Sequence, residues 1–227
     1  MRQGNSLYDR IGAVSTRSPT VQESDLSARA KIREAALGLF GSSGFGVSLR
    51  TVAQAAGVSP GLVIHHFGSK DGLRAAVDAS VLALFLEQFE ILPKDLPADR
   101  LSRAMADIIS DVLGPSPDIR QYLRRCLLDE TPAGTTIFDE LVAATRRGLE
   151  LLGRAGGIRS DSDPEWRPFQ VLSVILGPLL MEPVMQRHIG EPAYAPDVVR
   201  RRTSANLDFV SRGLFIPAVD ARDKPTT

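Results

Sequence analysis

The sequence predicts an all-α protein, and three observations carry that prediction. Apolar residues recur at helical spacing along most of the 227-residue chain. No stretch alternates convincingly between apolar and polar residues as a half-buried strand would. Serine and Ser-Pro pairs stand where helices would need N-caps, and glycines stand where they would stop. Apolar residues make up 43% and charged residues 24%, a balance that suits a packed core.

The first 25 residues carry Gly, Ser, Thr, Pro and scattered charge without period, and are expected to be a flexible tail. A first helix is expected from about Ser27 to Phe40. Its Ile32, Ala35, Ala36, Leu39 and Phe40 form one apolar stripe, and Gly41 to Gly44 should end it. A short second helix follows. Ser48 caps it, Leu49, Val52, Ala53 and Ala56 form its inner face, and Gly57 stops it. Ser59 caps a third short helix with Pro60 at its first position, where a missing N–H does no harm. That helix ends near Phe67, and Ser69 caps a long fourth helix from Lys70.

Larger helices fill the remainder. Leu101, Met105, Ile108, Ile109 and Val112 mark the fifth, and Ile119, Tyr122, Leu123, Cys126 and Leu127 the sixth, opened by Ser116-Pro117. Phe138, Leu141, Val142, Leu149 and Leu152 mark the seventh. A polar loop spans Gly156 to Asp163. Asp163-Pro164 opens a strongly apolar eighth helix through about Gln186, with a bend expected at Gly177-Pro178 or Pro183. A last helix runs from about Pro196 to Phe215, and residues 217–227 are expected to be a second flexible tail.

Several classes are excluded or disfavoured. No run of apolar residues approaches the roughly 18 that a membrane span needs. The opening Met-Arg-Gln-Gly-Asn-Ser has no apolar core behind it, which predicts no secretory leader and a cytoplasmic protein. The single cysteine, Cys126, cannot form an intrachain disulfide or a multi-cysteine metal site, and its apolar stripe predicts a buried small hydrophobe. His65-His66 lack a carboxylate three or four residues on, so no metal is expected there. His188 reads as a solvent-facing or capping residue. Asp129-Glu130 read as solvated charge at a helix end. No nucleophile elbow, phosphate loop or Cys/His pair is present, so neither catalysis nor a cofactor is expected.

Function shows between Ser48 and Phe67. Net charge is zero, but Leu26 to Ala75 holds six basic residues against two acidic ones, a local +4. Two short helices are joined by Gly57-Val58-Ser59: a stop, an apolar plug and a cap. This is the spacing of a helix-turn-helix, whose second helix lies in a DNA major groove. Placing Val63 inward brings Phe67 to the same face. Gly61 and His65 then point out, flanked by Leu62 and Ile64, a surface suited to close approach. Leu62 there is placed to touch a thymine methyl.

Residues Ser27 to Ala75 resemble the DNA-binding domain of the TetR family of bacterial transcriptional regulators. The run from Ser48 through Gly57-Val58-Ser59-Pro60-Gly61 to Phe67-Gly68-Ser69-Lys70-Asp71-Gly72-Leu73 is similar to the family signature. Ala35 to Phe40, then Gly44-Phe45, resembles its first helix. The resemblance implies a three-helix DNA-binding domain at 26–75 and a helical dimerisation and ligand-binding domain at 76–216. It implies that Ser48 caps the second helix and touches phosphate, and that Arg50 reaches a base or phosphate. Ser59, Pro60, Gly61, Leu62, Ile64 and His65 would form the recognition surface. His66 would offer a backbone contact, and Lys70 would neutralise phosphate at a helix N-terminus. Ile64 departs from the family's usual tyrosine, whose hydroxyl can bond a phosphate. The expected partners are palindromic operator DNA, a second copy of the chain and a small apolar effector. The expected role is a repressor released by that effector; an effector-insensitive regulator or activator is the alternative. Met105, Tyr122, Phe138, Trp166 and Phe169 are the expected effector-site residues. Val198, Arg202, Ala205, Phe209 and Gly213 are the expected dimer stripe.

Overall fold

Serine hydroxyls punctuate the first half of the chain. Ser48, Ser59, Ser69 and Ser116 each accept a bond from the backbone N–H three residues on, at 3.1, 3.2, 3.0 and 3.3 Å. Each satisfies a donor that the first helical turn leaves over. The computed structural model describes residues 21–93, 95–129, 132–160 and 162–213, and among these it holds nine helices. They are α1 (Val21–Ser43), α2 (Leu49–Ala56), α3 (Pro60–Phe67), α4 (Lys70–Glu90), α5 (Ala98–Leu113), α6 (Pro117–Leu127), α7 (Pro132–Arg154), α8 (Arg167–Ile189) and α9 (Pro196–Gly213). The all-α class is as expected.

The boundaries differ where the apolar period is silent. α1 begins at Val21, before the expected Ser27, so residues 21–25 are helical rather than tail. Val-Gln-Glu-Ser-Asp has no stripe, but a formed helix propagates at little cost per added residue. The helix also runs on through Gly41 to Ser43, and Gly44 ends it at φ +84°. α8 starts at Arg167 rather than Asp163. The Asp163 carboxylate instead caps a short turn, accepting from the N–H groups of Glu165 at 2.8 Å and Trp166 at 3.3 Å. Residues 1–20 and 214–227, and with them both terminal tails, lie outside the described residues.

α1 and α3 pack on α4, α2 packs on α1 and α3, and α6 lies along α1. Ile32, Phe40, Val52, Val63, Leu73 and Val77 join Tyr122, Leu123 and Ile137 in one continuous buried cluster. The core therefore runs across residue 75, which falls inside α4. α8 packs on α7 and α6, and α9 packs on α5. A smaller cluster of Leu101, Met105 and Leu152 holds α5 against α7.

Gly41 explains why α6 lies so close to α1. A Cβ there would sit 3.0 Å from the Tyr122 backbone nitrogen and 3.1 Å from Gln121 Cβ. A Cβ on Gly38 would meet Asp118, and one on Gly44 would meet Arg125. Those two contacts would be ordinary ones with side-chain ends, at 3.5 and 3.7 Å, so Gly41 is the position where the two helices approach too closely for a side chain.

α8 corrects one sequence expectation. It is long and apolar enough to cross a membrane, by length and composition alone. Its Leu172, Leu176 and Leu179 are instead buried in the chain's own core, and its Glu182 faces Arg120 and Arg124 at 3.7 and 3.8 Å. Leu180, Met181 and Val184 of the same helix are exposed.

Candidate functional site

α2 and α3 meet through a turn that each residue is fitted to make. Gly57 takes φ +67°, a left-handed conformation costly for other residues, and its N–H returns to the end of α2. Val58 is partly buried against the core, and Ser59 opens α3 with Pro60 at its first turn. Val63 is fully buried and Phe67 nearly so, which anchors α3 by one face. Ser59, Pro60, Gly61, Ile64 and His65 are exposed, and Leu62 is half-buried beside them. Ser48 and Arg50 are exposed at the start of α2, and Lys70 stands half-buried at the start of α4. The two short helices thus present one continuous face with basic groups at its edges.

His66 stands apart from this face. Its imidazole is 5% exposed, and Nε2 lies 3.3 Å from Asp25 on α1. The sequence reading looked for a carboxylate only three or four residues on and missed one arriving from another helix. Arg29 on α1 lies over the Phe67 ring at 5.5 Å. Both contacts brace α3 from behind.

A polar seam joins this module to the rest of the chain. Arg74 on α4 donates to Asp129 at 2.6 Å and lies 3.5 Å from the Phe45 ring centroid. The Asp129 carboxylate is therefore a half-buried partner rather than the solvated charge expected of it. Tyr122 on α6 donates to Asp78 on α4 at 2.6 Å. Burial raises the Asp78 carboxyl above its ordinary value, against the lowering effects of the Tyr122 bond and Arg74. Burial pushes the neighbouring Cys126 thiol up to about 12, which leaves it protonated and unreactive.

Beyond the seam lies a cavity of about 190 Å³ between α5, α7, α8 and α9. Met105, Leu123, Thr145 and Ile175 are among the side chains that line it. Of the five residues expected there, Met105 alone does so. Tyr122 is fully buried under the first helices instead. Its neighbour Leu123 faces the cavity, because successive helical residues point about 100° apart. Phe138 and Phe169 stack on each other at 6.4 Å, away from the cavity, and Trp166 is 62% exposed just before α8. Trp166 and Phe169 sit at the start of α8, and Phe138, in the second turn of α7, packs against the core beside them rather than on the cavity. The reading missed Tyr194, Arg202, Thr203 and Asn206, which do line the cavity. For the last three the signal was a second stripe on α9: Val199, Arg202, Thr203, Asn206 and Val210 also recur at helical spacing.

Comparison with known proteins places these features. Residues 32–77 match the profile described as bacterial regulatory proteins, tetR family. Residues 116–216 match one described as tetracyclin repressor-like, C-terminal domain. The HTH-type transcriptional regulatory protein RaaS of Mycobacterium tuberculosis is 37% identical over 148 residues, which are 65% of this chain and 67% of RaaS. The chain belongs to the TetR family. Solved TetR-type structures share its fold. CprB of S. coelicolor A3(2) superposes with a TM-score of 0.64 over 88% of this chain and 94% of its own, at 20% identity. SmeT of Stenotrophomonas maltophilia does so with a TM-score of 0.61 over 88% and 96%, at 19% identity. As a TetR-family transcriptional regulator the protein binds DNA, and α2-turn-α3 is its helix-turn-helix.

Proposed function

We propose that this TetR-family protein is a cytoplasmic, homodimeric repressor that leaves a palindromic operator when a small, mainly apolar ligand enters the cavity. The observation that carries the reading is the position of α6. Leu123 lines the cavity, while Tyr122 beside it holds Asp78 of α4 and abuts Gly41 of α1. A ligand that displaces α6 therefore acts on both helices that carry α2 and α3. The ligand favours the conformation in which two recognition helices no longer match successive major grooves, and mass action does the rest.

In this reading Arg50, Ser48 and Lys70 contact phosphates and Gly61 to His65 face base edges, with Ser59 and Pro60 setting the approach. Ile64, 48% exposed, offers apolar contact where a hydroxyl would bond phosphate. Dimerisation through α8 and α9 covers Leu180, Met181, Val184 and Phe209, an exposed apolar group that a single chain leaves in water. The fold neighbour SmeT is the repressor of a multidrug efflux pump and has been solved with triclosan, which supports a repressor with a small-molecule site.

The test is binding-site selection from a random duplex pool, followed by titration of the selected operator with apolar metabolites. A selected motif with two-fold symmetry, released by a compound that also raises Tm, is the expected result. Compounds that stabilise the protein yet leave the operator bound would overturn the release mechanism.

A further inference from the structure

The cavity is apolar nearly all round, yet one end is cationic. Arg202 and Asn206 stand one helical turn apart on α9 and both line it. Arg202 spends one N–H on the Ala193 carbonyl, at 2.8 Å. Among the described residues no carboxylate lies within ion-pair distance of it. The nearby arginines are better supplied: Arg120 and Arg124 share Glu182. The Tyr194 ring has Arg120 at 4.2 Å and Arg202 at 4.5 Å, and its buried hydroxyl has no hydrogen-bond partner. Three arginines and one glutamate surround this tyrosine. Burial lowers the Arg202 guanidinium from its ordinary value, against the raising effects of Tyr194 and Glu182, the mark of a cation short of solvent.

The remaining polar groups sort by what they still offer. The Ser102, Ser110 and Thr145 hydroxyls donate to the carbonyls of Asp99, Ala106 and Leu141. Ser110 and Thr203 also bond each other at 2.7 Å. Arg202, Asn206 and the Tyr194 hydroxyl are the donors left over. A guanidinium fork beside an amide NH₂ matches the two oxygens of a carboxylate. Size then limits the body of the ligand. A cavity of about 150 Å³ takes a benzene ring, and this one is about 190 Å³.

We propose that the cavity binds a compact monocarboxylate, an aryl or medium-chain acyl acid, with its head on Arg202 and Asn206 and its apolar body among the side chains of α5, α7 and α8. This rests on the effector reading above and adds the ligand's chemical class to it. Hydrophobic burial supplies most of the affinity, and the head group supplies the selection.

The experiment is calorimetric titration of the full-length protein at neutral pH with octanoate and phenylacetate, each against its neutral counterpart, 1-octanol and 2-phenylethanol. Each acid should bind at least tenfold more tightly than its alcohol. Arg202→Met should erase that preference and leave alcohol affinity within about threefold. Arg202 also braces Ala193 and Tyr194, so an isosteric variant guards against misfolding: Asn206→Asp should reverse the preference by setting a carboxylate against the acid. Equal affinity for acid and alcohol in the wild type, or a preference that survives both substitutions, overturns the proposal. Alcohols that alone bind and release operator would overturn it while leaving the effector reading intact. Four inert probes, with operator binding also indifferent to a wider library, would remove both.

Discussion

Tyr122 of α6 donates a 2.6 Å hydrogen bond to Asp78 of α4, so a carboxyl group sits buried at the junction between the DNA-binding helices and the cavity. Its folded-state pKa is raised above 3.8, first by burial. Such a group contributes stability below its unfolded pKa and loses it as pH rises through the folded value. Asp78→Asn keeps an acceptor for Tyr122 and removes the charge. The variant should therefore gain on the wild type as pH rises from about 3.5 to 7. Urea unfolding at several pH values measures this. A stability difference that stays flat, or shrinks with rising pH, would contradict the assignment.

Gly41→Val should be costly. The new Cβ meets backbone atoms of α6 at 3.0 Å, and backbone cannot step aside as a flexible side chain can. Overpacking of this kind costs up to about 3 kcal/mol. At about 2–4 °C per kcal/mol for a chain of this size, Tm should fall by about 6–12 °C. Gly153→Val is the control, a helical glycine whose Cβ would meet nothing within 4 Å. Equal losses in the two variants would show that helix propensity, not the α1–α6 contact, sets the effect.

Lys70→Ala should weaken binding to all duplexes by a similar factor. The lysine stands at the start of α4, where charge and helix dipole would act together on a phosphate. The salt dependence of log K should fall by about one unit per lost contact, about two for a dimer. An unchanged slope would mean that Lys70 meets no phosphate.

Exchanging Leu62 and His65 together should change what is bound more than how tightly. Both lie on the open side of α3, opposite the buried Val63. Selection from a random pool should return a different motif at the central positions of each half-site. Recovery of the wild-type motif would rule them out as base readers.

Phe209→Glu should yield a helical monomer. Phe209 is 72% exposed on the single chain, so the substitution spares the chain's own core. In a dimer it would bury an unpaired charge, which is expensive. Sedimentation at micromolar concentration reads the outcome, with circular dichroism as the control for folding. A variant that stayed dimeric would move the interface elsewhere.

Local chemistry was legible in the sequence and packing partners were not. Ser48, Gly57, Ser59 and Ser69 act within three residues of themselves, so spacing was enough to place α2, the turn and α3. Gly41 misled, because its role is set by α6, far along the chain. Asp129 misled for the same reason, its partner being Arg74 on α4. On α9 two overlapping stripes compete. Arg202 belongs to both, and a helix alone does not say which stripe meets α5 and which meets solvent. Trp166 and Phe169 show that a large ring at a helix end need not reach the middle of a bundle.

The close approach of α6 to α1 at Gly41 has a mechanical consequence. Long side chains at an interface can change rotamer and absorb a small displacement before it travels further. Here one surface is bare main chain, and main chain has no rotamers to spend. A shift of α6 by a fraction of an ångström passes to α1 undamped, because close-packed interiors transmit strain rather than dissipate it. The junction works as a dry clutch: α1 either moves with α6 or separates from it, with little slip between.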